Sequence, residues 1–234
     1  MWIARQKTRL QELYREFPRP FWTLTGVTFI DQVGGALLYP FFALYFTSRF
    51  GVGMTEVGIL FAFYAVSSFA GQLVGGAISD RFGRRNMLIF SLVTTSTSAL
   101  LMGVVDSLIL FYALAILVGL LVESGQPARQ AIVADVLPEE KRAEGYAIMR
   151  VAFNLAIAVG PAIGGFVAGR SYLALFITDA IISLVAAMIV WRALPETKPE
   201  AAEGEAEGSV ASSFGATERC CATGCSSYSW APAC

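Results

Sequence analysis

The sequence predicts an all-α membrane protein with six transmembrane helices, and three observations carry that prediction. Apolar residues make up 56% of the 234-residue chain and charged residues only 15%, with a mean hydropathy of +0.60, a balance foreign to a soluble domain of this length. The apolar residues come in long runs rather than in amphipathic stripes, which sets the runs apart from the buried helices of a soluble core. Lysine and arginine collect in every second gap between the runs, as they do in loops on the cytoplasmic side of a membrane.

A helix needs about 20 apolar residues to cross a hydrocarbon core. Six segments meet that length, from Phe21 to Phe46, Val57 to Ser79, Met87 to Val105, Leu108 to Gln126, Tyr146 to Gly169 and Tyr172 to Ala193. The first follows MWIARQKTRLQELYREFPRP, a basic amphipathic opening with no short apolar core or small-residue cleavage site, so it is not expected to be a cleaved signal. Between the first and second segments the only basic residue is Arg49. Between the second and third stand Arg81, Arg84 and Arg85, and the gap from third to fourth has none. Arg129, Lys141 and Arg142 separate the fourth from the fifth, with Arg150 in the first turns of the fifth; Arg170 separates the fifth from the sixth, and Arg192 stands at the end of the sixth with Lys198 after it. Placing the N-terminus in the cytoplasm leaves only Arg49 and Arg170 outside, and an even number of crossings returns the chain to the cytoplasm.

Three regions follow. Residues 1–20 form a cytoplasmic amphipathic N-terminus, residues 21–194 the six-helix bundle, and residues 195–234 a cytoplasmic linker and an atypical tail. PETKPEAAEGEAEG is acidic, small and proline-bearing, the composition of a flexible linker.

The stretch GGAISDRFGRR, Gly75 to Arg85, ends the second segment in a knot of glycine and charge. Gly76, Asp80, Arg81, Gly83, Arg84 and Arg85 stand there as G-x-x-S-D-R-x-G-R-R. In this pattern the sequence resembles the major facilitator superfamily of secondary transporters, whose signature loop joins helices two and three. Gly76 is expected to admit a neighbouring helix, Gly83 to make a tight turn, and Asp80 to pair with an arginine or cap a helix. The resemblance implies that Asp80, Arg81 and Arg84 latch the two halves of the transporter in its outward-facing state. Glu123, near the cytoplasmic end of the fourth segment, is the expected carboxylate partner of Arg84.

Two further stretches carry the likeness. VGGALLYP, with Gly34 and Pro40, resembles the helix-one pattern of drug-efflux members, although Ala43 stands where that pattern has a second proline. GPAIGG, with Gly160, Pro161, Gly164 and Gly165, resembles the helix-five motif associated with antiporters. Ala152, Ala156, Gly160, Gly164 and Ala168 recur every fourth position, a ladder suited to close packing against another helix, while Pro161 bends its own. Efflux members often carry an arginine in helix four where this chain has Ala115, so coupling through that arginine is not expected.

The chain has no histidine, so a proton relay must use carboxylates. Asp31, near the middle of the first segment, is the candidate for proton coupling, because an ionised carboxylate is costly there. The plain alternative is a structural aspartate satisfied by Gln32 or Asn154. Asp179 and Glu123 are expected nearer the interfaces, in structural roles. Tyr39, Phe42, Tyr45, Phe61, Phe63, Tyr64 and Phe153 are candidate walls of an apolar cavity.

Other chemistry finds little footing. There is no P-loop, GPAIGG lacks the setting of a dinucleotide loop, no catalytic triad forms without histidine, and no basic tract points to nucleic acid. No enzyme activity, cofactor or metal is expected. Cys220, Cys221, Cys225 and Cys234 cluster in the tail, where neither a disulfide nor a zinc site fits a cytoplasmic location well. The resemblance covers roughly residues 15–198 and implies a family of twelve helices in two halves with the substrate site between them. Only one half is present, and a frameshift after Gly208 is one reading of the tail. The expected partners are a small-molecule substrate, the proton, the lipid bilayer, and a second six-helix half or a homodimeric copy. Proton-coupled efflux by alternating access is the leading functional reading. A nonfunctional truncation product and a six-helix homodimer or scaffold without transport remain beside it.

Overall fold

The computed structural model describes residues 15–195. The expectations for the segment before Arg15 and for the tail after Pro195, its cysteines included, lie outside the described residues. Those residues are almost wholly helical, in seven helices: α1 (Arg19–Phe50), α2 (Met54–Phe82), α3 (Arg84–Val104), α4 (Leu108–Val122), α5 (Gly125–Val136), α6 (Glu139–Ala168) and α7 (Tyr172–Ala193). α4 and α5 are two parts of one apolar span, Leu108–Val136, so six helices are long and apolar enough to cross a membrane.

Local chemistry sets the ends. Pro20 in the first turn of α1 fits there because that turn has no use for its missing N–H. Gly51 closes α1 in the left-handed region at φ 64°, its N–H donating to Thr47 O at 3.0 Å. Gly53 N–H donates to Glu56 Oε2 at 3.0 Å and opens α2. Gly83, at φ 97°, turns the chain directly from α2 into α3, as the sequence predicts.

The fourth and fifth spans differ from expectation. The fourth does not end at Gln126 but runs on to Val136, and the fifth begins at Glu139 rather than Tyr146. Arg129 and Asp135 interrupt the apolar run without ending the span, because each is paired within the bundle, Arg129 with Asp31 and Asp135 with Arg84. Pro138 starts α6, and Arg142 Nε donates to Ala134 O at 3.1 Å and Leu137 O at 3.3 Å, tying the short turn together.

α1 packs against α6 and α7, α3 against α7, and α2 against the α4–α5 span. Backbones meet closely where side chains are absent. A Cβ on Gly160 would lie 2.5 Å from Ala36 Cβ, and one on Gly164 would overlap the carbonyl of Leu37, so the ladder of α6 packs against α1. On α2, Gly71 and Gly75 press on the backbones of Leu120 and Ser124. Gly76, expected to make that approach, has only Pro127 Cβ at 3.9 Å, because it faces one position away from the contact line.

Two apolar clusters lie along the bundle. One gathers Phe17, Phe21, Leu88, Ile132 and Val190; the other gathers Tyr45, Phe46, Leu60, Phe111 and Phe176. Between them, along α1 and α7, lies a polar layer containing Asp31 and Ser183. The outer surface is apolar, with Val66, Leu73, Ile109, Phe166 and Trp191 exposed. This belt suits a hydrocarbon solvent, and the chain is a multi-pass membrane protein.

Candidate functional site

Span four supplies the residue that organises the polar layer. Arg129, on α5, places Nη2 3.1 Å from Asp31 Oδ2, and the side chains are 9% and 14% exposed respectively. Ser183 on α7 donates its hydroxyl to the other carboxylate oxygen, Oδ1, at 3.2 Å. Asp31 is therefore held by Arg129 and Ser183 rather than by Gln32 or Asn154. Three helices meet at this one carboxylate.

Asp179, one turn before Ser183 on α7, is buried at 4% exposure. Its Oδ1 has no hydrogen-bond partner among the described residues. It lies over Gly34, so this glycine of the helix-one motif makes room for a carboxyl group. The interfacial location expected for Asp179 is corrected: it shares the cavity of Asp31.

That cavity encloses about 910 Å³. Of the aromatic candidates, Tyr39, Phe42, Phe61, Tyr64 and Phe153 line it, together with Pro40, Pro161 and Ala115. Tyr45 does not. It is buried in the neighbouring cluster with its hydroxyl donating to Met102 O at 3.2 Å. Phe63 is 47% exposed on the outer surface.

Glu123 requires a second correction. It sits at the break between α4 and α5 and lines the cavity, where Tyr64 Oη donates to Oε1 at 3.2 Å and Gln72 Nε2 to Oε2 at 3.3 Å. The longer span four carries it away from the signature loop. Arg84 instead pairs with Asp135 of α5, stands 3.6 Å from Asp80, and donates to Ala131 O at 3.3 Å. Arg85 donates to Trp191 O, and Arg81 is exposed. At the far end of the bundle Arg49 pairs with Asp106. Gly165 lies beside Phe41, where a Cβ would be 3.6 Å from its ring.

Sequence reasoning missed Arg129 and Asp135, which fell in a stretch read as a basic loop. For Arg129 the available signal was spacing: Gln126, Arg129, Gln130 and Val133 stand at i, i+3, i+4 and i+7, the pattern of one helix face. Within the described residues, no group of three acidic, cysteine or histidine side chains is arranged to hold a metal.

Comparison with known proteins agrees with this architecture. The family model described as Major Facilitator Superfamily matches residues 24–228. A Na(+), Li(+), K(+)/H(+) antiporter of Planococcus maritimus is 33% identical over 160 residues, covering 66% of this chain and 37% of the antiporter. The class B tetracycline resistance protein of Escherichia coli is 30% identical over 178 residues, covering 74% of this chain and 43% of that protein. Multidrug resistance protein 2 of Bacillus subtilis is 30% identical over 168 residues, covering 72% and 42%. The chain thus spans about two fifths of the length of these relatives. Among solved structures, a peptide transporter POT aligns with a TM-score of 0.67 at 15% identity, covering 74% of this chain and 37% of its own. The human organic anion transporter MFSD10 aligns at 0.62 and 22% identity, covering 77% and 48%; both likenesses concern the fold. The chain belongs to the Major Facilitator Superfamily, and its six spans form the N-terminal half of that fold.

Proposed function

We propose that this chain supplies one half of a secondary transporter that exports small molecules in exchange for protons by alternating access. The observation that carries the reading is the buried Asp31–Arg129 pair, with Asp179 beside it, facing a large and mainly apolar cavity. A buried ion pair is a poor stabiliser compared with apolar packing, and intramembrane charges mark ion and substrate paths. The relatives, an antiporter and two resistance proteins, support transport rather than catalysis.

In this reading Asp31 and Asp179 exchange protons with the cavity. Arg129 holds Asp31 while it is ionised and is released when a proton takes its place. Substrate occupies the same cavity when the proton has left, so the two alternate. Arg84, Asp135 and Asp80 fasten the loop end of the bundle, and changes in that cluster accompany rocking against a second six-helix bundle. In this reading both termini and the signature loop lie in the cytoplasm and the membrane is the cell membrane, which the distribution of lysine and arginine between the spans supports for the orientation. Residues 21–194 are the transport bundle, and residues 195–234 are a linker and tail.

Everted membrane vesicles from cells expressing the chain test this reading. Respiration acidifies their interior, and added tetracycline, taken as a probe from one relative, is expected to dissipate the pH gradient. Asp31→Asn is expected to abolish that response. A wild-type response no larger than that of empty vesicles, also when two copies of the chain are joined in tandem to supply both six-helix halves, would refute proton-coupled export of this probe by the bundle.

A further inference from the structure

The large cavity and a smaller one of about 440 Å³ share Gln32, Gln126, Arg129 and Phe153, which makes them two lobes of one space. Their charges differ in sign. The large lobe sets the carboxylates of Asp31, Glu123 and Asp179 against the single guanidinium of Arg129. The small lobe has no carboxylate in its lining and carries Arg129, Arg150 and the amides of Gln32, Gln72, Gln126 and Gln130.

Neither lobe is neutralised from within. Arg150 forms no ion pair among the described residues, and its guanidinium stands 5.8 Å from the centre of the Phe153 ring. Among the described residues, Glu123 has only the neutral donors Tyr64 and Gln72. Two residues of the small lobe, Thr28 at 3% exposure and Arg129 at 7%, each keep a buried polar atom, Oγ1 and Nε, without a hydrogen-bond partner among the described residues. Such groups cost free energy until something meets them. Guanidinium and amide N–H groups together complement a carboxylate, whereas a carboxylate beside aromatic rings complements an ammonium group. A ligand with one charge would satisfy one lobe and leave the other uncompensated.

We infer that the two lobes form one dipolar binding site and that the substrate class is a small amphipathic zwitterion. Its anionic group sits on Arg150 in the small lobe. Its amine sits at Glu123 in the large lobe, and an apolar body bridges them along Phe153. The inference rests on the reading of the large cavity as the substrate cavity.

The test uses the full chain in lipid nanodiscs, with calorimetric titration against empty nanodiscs. The probes share a biphenyl body: 4'-(aminomethyl)biphenyl-4-carboxylic acid, biphenyl-4-carboxylate, biphenyl-4-ylmethylammonium and biphenyl-4-ylmethanol. The zwitterion is expected to bind about tenfold more tightly than either singly charged probe, the worth of one charge-assisted hydrogen bond. Arg150→Gln should cost the zwitterion and the anion about tenfold and leave the cation unchanged; Glu123→Gln should do the reverse. Equal binding of all four probes, or an equal loss of all four in Arg150→Gln, would overturn the dipolar site while leaving the cavity reading intact. Binding of none would overturn both.

Discussion

The carboxyl group of Asp179 on α7 rests in a notch above Gly34 of α1, where a Cβ would stand 2.5 Å from its Oδ1. Gly34→Ala must therefore push that carboxyl aside or part the two helices. A loss of about 1–3 kcal/mol is expected, the usual cost of overpacking. The adjacent Gly35 has nothing within 4 Å of its Cβ position, so Gly35→Ala should hold or raise stability through helix propensity. Thermal unfolding of the two variants in detergent micelles makes the comparison, and an equal loss in both would count against the notch.

Arg129 and Asp31 lend themselves to a double-mutant cycle. Arg129→Gln leaves a buried carboxylate with Ser183 as its remaining donor, and a loss of about 3 kcal/mol is expected. Adding Asp31→Asn removes the stranded charge and should recover most of that loss. Unfolding titrations with a denaturing detergent supply the four stabilities, and simple additivity would show that the pair is not energetically coupled.

Gly75 and Gly76 are neighbours with different surroundings. A Cβ on Gly75 would collide with the backbone of Ser124, which cannot rotate away, whereas Gly76 has 3.9 Å of room to Pro127. Gly75→Ala is expected to cost about 2 kcal/mol and Gly76→Ala less than about 0.5 kcal/mol. Melting temperatures of the paired variants decide it.

Arg84 should couple to Asp135 and not to Glu123. The Arg84 side chain is 14% exposed and that of Asp135 29%, a partly buried contact, and a coupling of about 1–2 kcal/mol is expected. The same cycle run with Glu123→Gln should give a coupling near zero. A sizeable Arg84–Glu123 coupling would reinstate the pairing expected from the position of Glu123 in the sequence.

The bundle was readable because bilayer thickness imposes a length on apolar runs that few other constraints imitate. Gly83 was readable too, since a turn this tight between two long helices calls for a residue tolerant of positive φ. Hydropathy failed where a helix turns a polar face inward. Arg129 looks like a loop residue to any average over a window, yet its partner Asp31 lies 98 residues earlier in the chain. Gly75 and Gly76 are indistinguishable by composition, and only the rotation of α2 about its axis separates them. Asp31 stood out because a lone carboxylate in an apolar run is conspicuous; what neutralises it is a fact of tertiary structure.

The two apolar clusters are separated along the bundle by the Asp31 layer, where α1, α5 and α7 are tied to one carboxylate by an ion pair and a hydrogen bond. Apolar packing has no preferred direction, whereas these bonds do. The layer therefore fixes the register of the three helices more narrowly than the apolar contacts on either side of it.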